Sequence, residues 1–239
     1  MTTLRTAFDS PETKAPYVRR LFSTIADRYD LITVLLSYGQ DRRWKDRLVA
    51  MAPVTSTSRA LDLACGTGDI AFGLQARGAS TVGLDITPRM IELANVKRRG
   101  SAGQQPSFLV GDMMALPFPD ATFDIVTTGY GIRNVPVIAQ SLTEIRRVLR
   151  PGGTLLSLDF NRPSNSLVRA IYLTYLTVVG STLGLVLHRD PDTYRYIPES
   201  IRRYPGAAGV SAIARQQGFA SCEHVPVLGG FMAIHRAVK

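Results

Sequence analysis

Residues 59–69, RALDLACGTGD, constrain the fold more than any other stretch. A short apolar run enters glycines at once and leads into a helix-length segment, IAFGLQARG, the pattern of a buried parallel strand turning directly into a helix. Gly66 and Gly68 permit the tight turn and let backbone amides approach a ligand at the carboxyl edge of a sheet. The rhythm continues. STVGLDI precedes TPRMIELANVKRR, in which Thr87 is placed to N-cap a helix and Pro88 takes its first position. After a Gly- and Gln-rich linker come PSFLVGD, then FDIVTTG with a helix through 136–149, then a turn and strand in PGGTLLSLDF. Strands alternating with helices of this length imply a parallel, doubly wound sheet.

The two ends of the chain depart from that rhythm. Helical spacing over residues 11–58 predicts two or three helices before the first strand, and 164–205 read as a long, largely helical insertion. A helix, VSAIARQQG, then leads to ASCEHVPV and GFMAIHRA, separated by LGG and so close together that they fit an antiparallel hairpin on the sheet edge. The expected fold class is α/β: a Rossmann-like, doubly wound, seven-stranded sheet with an antiparallel C-terminal hairpin, N-terminal helices and a helical insertion before the last strands. One domain over 1–239 is expected, divided into a helical cap (1–58), a cofactor-binding core (59–160), an insertion or substrate cap (164–205) and a final helix and strand pair (206–239). A chain of 239 residues, 45% hydrophobic, can bury a core of that size.

Charge and composition narrow the partners. Lys plus Arg number 28 against 19 Asp plus Glu, and the net charge of +9 favours nucleic acid, an acidic membrane surface or acidic substrates, or else marks a basic but unspecialised surface. Cys65 and Cys222 are the only cysteines and lack metal spacing, so neither a disulfide framework nor a metal site is expected, and a reducing compartment is. MTTLRTAFDSPETKAPY has no apolar core of an export signal. Residues 170–187, AIYLTYLTVVGSTLGLVL, carry no charge over a length at the lower limit of a membrane span. Glycine, threonine and serine dilute the segment, which reads better as an apolar helix or helix pair that lines a pocket or rests on a bilayer.

The acids around the glycine loop discriminate between ligands. GTGDIA also fits the end of a dinucleotide fingerprint, and Asp85, closing the second strand, would accept from ribose hydroxyls in either case. Asp62, just before the glycines, would oppose a pyrophosphate yet help hold an ammonium or sulfonium. Asp112, after the third strand, can accept from an adenine amino group while Met113 packs against the ring. This set suits S-adenosylmethionine better than a nicotinamide dinucleotide, the plain alternative being that Asp62 and Asp112 cap helices.

LDLACGTGD, GLDITPRMIELA, GDMMALPFPDATFD and the final strand pair resemble a class I methyltransferase. FSTIADRYDLIT, the RRWK element, YGIRNV, RVLRPGG, DTYRYIPESIRRYP and GGFMAIHRAVK together resemble the ubiquinone/menaquinone biosynthesis C-methyltransferase family. The resemblance implies methyl transfer from S-adenosylmethionine to a ring carbon of a polyprenylated quinol, demethylmenaquinol to menaquinol, with a 2-methoxy-6-polyprenyl-1,4-benzoquinol as the alternative acceptor. By motif position it implies a cofactor set of Gly66, Thr67, Gly68, Asp85, Asp112, Met113 and Gly129, the last standing where related sequences often carry serine. It implies no metal. Peripheral contact with an anionic membrane from the cytoplasmic side is expected, nucleic acid is not, and a homodimer is left open. The competing readings are a nucleic-acid methyltransferase, weakened by the lack of an RNA-binding module, and a non-catalytic lipid-binding module, weakened by the intact cofactor motifs.

A ring carbon becomes a good nucleophile when the conjugated quinol hydroxyl loses its proton, and phenol pKa values near 10 make that anion scarce at neutral pH. A fixed cation and an amide donor beside the oxygen would stabilise it. Arg133 is expected to supply the charge, Asn134 an orienting hydrogen bond, and Tyr29 of DRYD a further donor. Protonated arginine is no base, so a water held by Arg133, Asn134 and Asp112 is the expected proton acceptor. The structural alternative pairs Arg133 with Glu144 or Glu199. Tyr194, Arg195, Tyr196, Glu199 and Arg202 are expected to form a cap. His188, His224 and His235 lie at no metal spacing, and a base role for His235 ranks below a structural one.

Overall fold

The computed structural model describes residues 4, 6–100 and 103–239. Residues 1–3 and 5, in the stretch read for an export signal, and 101–102, in the Gly- and Gln-rich linker, lie outside it. The chain opens with α1 (Pro11–Ile25), α2 (Tyr29–Leu36) and α3 (Asp41–Met51). Then β1 (Arg59–Leu63), α4 (Asp69–Ala76), β2 (Ser80–Asp85), α5 (Pro88–Arg99), β3 (Ser107–Val110), β4 (Phe123–Gly129), α6 (Ile138–Val148) and β5 (Leu149–Phe160) follow. The insertion is α7 (Ser166–His188) and α8 (Asp192–Arg203), after which come α9 (Gly206–Gln216), β6 (Ser221–Val227) and β7 (Met232–Val238).

The sheet has seven strands in the order β3-β2-β1-β4-β5-β7-β6. Pairing is parallel from β3 to β5 and antiparallel for β5 with β7 and β7 with β6, as the hairpin reading required. Because β2 and β4 lie on opposite sides of β1, the chain crosses over at β1, and the crevice at its carboxyl end is where a doubly wound sheet binds ligands. Leu61, Leu63, Ile125, Val126, Leu155 and Leu156 are buried, as expected of strands covered on both faces by helices. Each such side chain contributes roughly 1.5–3 kcal/mol of transfer free energy. Asp62 is the polar exception inside β1: it is wholly buried, and its Oδ1 accepts from Thr127 Oγ1 at 2.8 Å on the paired strand.

Gly68 shows why the loop after β1 demands glycine. Its φ of 93° is left-handed, and a Cβ there would lie 2.7 Å from the Phe108 ring. Thr87 takes the N-cap position of α5 with Pro88 beginning the helix, as expected, but its hydroxyl makes no capping bond.

The N-terminal helices and the insertion meet above the carboxyl edge of the sheet. Tyr17, Val18, Leu21 and Ile25 of α1 and Ile32 of α2 form one apolar cluster with Tyr194 and Tyr196 of α8. The rings of Phe8 and Tyr17 stack on Tyr196 at 5.4 and 5.8 Å. Lys14 Nζ donates to the carbonyls of Arg133 at 2.9 Å and Val135 at 2.7 Å, tying α1 to the loop after β4. Burial, then the nearby Arg133 charge, lowers the Lys14 pKa to about 8.

Candidate active site

Two cavities open between this helical roof and the sheet edge. The first is bounded by the chain leaving four parallel strands: Ala64 and Gly66 after β1, Asp85 and Ile86 at β2, Asp112 and Met113 after β3, and Gly129 at β4. Ala15, Val18 and Phe22 of α1 cover it. Asp85 is fixed by two backbone donors, Gly66 N–H to Oδ2 at 2.9 Å and Thr87 N–H to Oδ1 at 2.8 Å, and burial raises its pKa against their pull. Asp112 accepts from Met114 N–H through Oδ1 at 2.8 Å, and its Oδ2 has no hydrogen-bond partner among the described residues.

The carboxylates of Asp85 and Asp112 share this lining with the apolar side chains of Leu84, Met90 and Met113, a set that matches a ribose, an adenine amino group and an adenine face. The residues present therefore fit S-adenosylmethionine. Gly66, Asp85, Asp112, Met113 and Gly129 of the expected set line this cavity, whereas Thr67 and Gly68 do not. The Thr67 hydroxyl faces away, donating to Asp30 at 2.7 Å and accepting from Lys97 at 2.9 Å. At Gly129 a Cβ would sit 2.8 Å from Ile70 Cδ1, so Ile70 occupies space that a serine would need.

The second cavity is larger and mostly apolar and aromatic, bounded by α1, α2, α7 and α8 with Phe160 and Met232 at the sheet. Tyr194 and Tyr196 line it, which bears on the expected cap, while Arg195, Glu199 and Arg202 do not: Arg195 pairs with Asp192 at 2.7 Å, and Glu199 with Arg202 at 3.2 Å. Phe22, Tyr29 and Tyr130 border both cavities and so form the partition between them.

Arg133 lines the second cavity and Asn134 the first. Arg133 Nη1 pairs with Asp159 Oδ1 at 2.9 Å, both side chains being at most 5% exposed, and its backbone N–H donates to Asp159 Oδ2 at 3.1 Å. Its ion-pair partner is thus neither Glu144, which pairs with Arg147, nor Glu199: β4 and β5 are neighbours, and their carboxyl ends bring Asp159 beneath the loop. Burial opposes the Arg133 charge, but Asp159 and then Tyr196 hold its pKa above the ordinary value. Nη1 also donates to Tyr130 O and Nε to Ser200 Oγ, which leaves Nη2 without a bond among the described residues. Asn134 donates to Tyr130 O at 2.7 Å and accepts from Tyr196 Oη at 3.1 Å. The Tyr29 hydroxyl, its pKa pushed up to about 12 by burial, has no hydrogen-bond partner among the described residues. Asp112 and Asn134 border one cavity and Arg133 the other, so the three do not surround a common water.

The other sequence candidates have structural surroundings. Asp62 lines neither cavity and is not at the N-cap position of α4, but a backbone hydrogen bond from Ala71 in the first turn of that helix bears on it. Desolvation raises its pKa to about 7 against the pull of hydrogen bonds from the Thr127 side chain and the Ala71 backbone. Cys65 is buried beside Gly83. His235 bonds the carbonyl of Ala207, His188 the hydroxyl of Tyr194 and His224 that of Ser211. Among the described residues no cluster could hold a metal. Sequence reasoning missed Asp159, Tyr130, Asp41 and Lys45. An acid closing the fifth strand, in SLDF, was the same signal that singled out Asp85, and Asp41 and Lys45 stand at helical i, i+4 spacing in DRRWK.

The family model described as the ubiE/COQ5 methyltransferase family matches residues 9–239. The chain is 41% identical over 217 residues to the demethylmenaquinone methyltransferase of Thermus thermophilus, covering 90% of this chain and 98% of that protein. It is 38% identical over 229 residues to the ubiquinone/menaquinone biosynthesis C-methyltransferase UbiE of Dinoroseobacter shibae, covering 95% and 92%. Among solved structures it resembles a SAM-dependent methyltransferase from Thermotoga maritima, with a TM-score of 0.67 and 18% identity over 93% of this chain and 99% of that one, a likeness of fold.

Proposed function

The chain belongs to the ubiE/COQ5 methyltransferase family and is an S-adenosylmethionine-dependent methyltransferase; on that premise we propose that it methylates a ring carbon of a polyprenylated quinol, converting demethylmenaquinol to menaquinol. The observation that carries this reading is the pairing of a ribose- and adenine-compatible cavity with a larger aromatic one across a shared wall of Phe22, Tyr29 and Tyr130. S-adenosylmethionine supplies an electrophilic methyl group on a sulfonium. Gly66, Asp85, Asp112, Met113 and Gly129 hold it, and the roof of α1 excludes water. The quinol ring lies at the partition and its prenyl chain runs among the side chains of α7 and α8.

The protein lowers the barrier by alignment and by stabilising a phenolate-like acceptor. Arg133 Nη2 and Tyr29 Oη, both free to donate, face the ring oxygen from the larger cavity, and Asn134, anchored by Tyr130 and Tyr196, steadies the loop that carries Arg133. Arg133→Ala, assayed below its melting temperature, is expected to lower turnover by roughly 10²–10³, as for the loss of one oxyanion donor, with S-adenosylmethionine affinity retained. Equal losses of affinity and turnover would contradict this assignment. Relatives such as the Dinoroseobacter protein carry both quinones in their name, so a methoxybenzoquinol is the second acceptor to test. Incubation with labelled S-adenosylmethionine and each demethylated quinol, read by mass, tests the proposal. A label on neither would overturn it.

Delivery of such an acceptor points to a membrane surface. α7 is 23 residues long and apolar enough to cross a bilayer, but only 22% of its most apolar window is buried. Ile171, Val178 and Val186 of α7 and Leu31, Val34 and Tyr38 in and after α2 are exposed, and the Tyr38 and Tyr175 hydroxyls link the two helices beside the larger cavity. We read this face as resting on an anionic bilayer, from the cytoplasmic side, with the cavity mouth toward the lipid. Flotation with anionic liposomes at low salt, showing no enrichment over neutral ones, would count against it.

A further inference from the structure

C-methylation must dispose of a proton, and the structure contains a chain of groups suited to carrying it. Tyr130 stands in the wall between the cavities, with its backbone in the left-handed region at a φ of 62°, which only a few per cent of non-glycine residues adopt. Its hydroxyl donates to Asp41 Oδ1 at 2.7 Å. Asp41 is itself buried, and Gln40 and Trp44 beside it line the larger cavity, so this contact lies at the acceptor's side. Asp41 Oδ2 meets Lys45 Nζ at 2.6 Å, and the same nitrogen meets Asp69 Oδ2 at 3.0 Å. Asp69 is 43% exposed and passes the chain to Lys97 at 3.2 Å, which pairs with the half-exposed Asp30 at 2.8 Å. Every link from the buried phenol to solvent is within hydrogen-bond or ion-pair distance.

Resting on the quinol reading above, we propose that Tyr130 takes the proton displaced from the methylated ring carbon and that Asp41, Lys45 and Asp69 conduct it to the surface. The ring carbon's electron pair forms the new bond to the methyl group, and the methyl–sulfur bond breaks with its pair left on sulfur. The ring C–H bond then breaks, its pair restores the aromatic ring, and the proton goes to Tyr130 Oη as the hydroxyl's own proton passes to Asp41. Lys45 gives a proton to Asp69 as it receives one from Asp41, and Asp69 releases it to water. No oxidant or further reactant is needed. Lys45 remains charged despite its burial because Tyr29, Asp41 and Asp69 favour its protonated form. The alternative, an Asp41–Lys45 pair that merely braces α3, makes different predictions.

The test uses the full chain with an acceptor carrying deuterium at the reacting carbon. Tyr130→Phe and Asp41→Asn are expected to lower kcat by about 10²-fold, the low end of general acid–base contributions. Proton loss then limits the rate, so a primary isotope effect larger than the native enzyme's appears. S-adenosylmethionine affinity, measured by calorimetry without acceptor, stays at the native value. A fall in kcat without a larger isotope effect, or unchanged kcat in a folded Tyr130→Phe, overturns the relay. Should those variants not fold, Asp69→Asn at the exposed end carries the same test, and native kcat with a native isotope effect overturns it. Failure of the native enzyme to methylate any quinol removes the functional reading itself, and this proposal with it, and is seen before any variant is made.

Discussion

Replacing Asp159 with alanine removes a carboxylate that is 1% exposed and leaves the Arg133 guanidinium, 5% exposed, without a counter-charge. Among the described residues the guanidinium keeps Tyr130 O at 3.0 Å and Ser200 Oγ at 3.3 Å, both neutral, and the rings of Phe160 and Tyr130 at 4.8 and 6.0 Å from its carbon. Stripping one partner from a buried pair costs about 3–5 kcal/mol because the remaining charge is desolvated and uncompensated. For a domain of this size each kcal/mol moves Tm by about 2–4 °C, so Asp159→Ala should melt about 6–20 °C lower. Changing both residues, Arg133→Met with Asp159→Ala, removes the orphaned charge and should recover part of that loss, about 2 kcal/mol. A deficit of about 1–3 kcal/mol remains, since Asp159 Oδ2 also accepts the Arg133 backbone N–H, which the double variant leaves unpaired. Urea titration of the native protein, the single and the double variant measures all three. A loss below about 1 kcal/mol in the single variant, or a double variant no better than the single, would refute the argument that this pair is held by mutual charge compensation.

Gly131→Ala places a Cβ 2.3 Å from Thr128 Oγ1 and 3.0 Å from Ala64 Cβ, so it should cost about 1–3 kcal/mol and, through Ala64, weaken S-adenosylmethionine binding in calorimetry. Gly129→Ser brings its Cβ against the end of the Ile70 side chain, so it should cost under about 1.5 kcal/mol in urea titration, and a larger loss would mean that Ile70 cannot give way. Asp62 has a folded-state pKa near 7 against an ordinary 3.8, so the folded state binds the extra proton between those values and its stability falls as pH rises through that window. Asp62→Asn should therefore stabilise the ligand-free protein at pH 8 by on the order of a few kcal/mol, with the gain shrinking toward pH 4. Melting curves across that range check the sign, and a gain largest at low pH would disprove it.

The strand–glycine–helix rhythm, the closely spaced final strands and the uncharged 170–187 segment are local patterns, and they were enough to predict the seven-stranded sheet, its antiparallel edge and the helical insertion. The acids at the strand ends were likewise legible, because a carboxylate closing a parallel strand must lie at the carboxyl edge. Partnership was not. Lys14 reaches the Arg133 carbonyl across 119 positions, Tyr130 meets Asp41 across 89, and Arg133 finds Asp159 across 26 because β4 and β5 are neighbours in the sheet. Nothing periodic in the sequence marks such pairs. The sequence by itself determined which segments become strands and helices and which chemical groups arrive at the sheet edge, since those follow from side-chain alternation, glycine punctuation and the direction of a parallel strand. Only the tertiary structure decided that Arg133 is ion-paired to Asp159, that Tyr130 divides two cavities and that α1 roofs both, because strand order and helix packing set distances between residues remote along the chain.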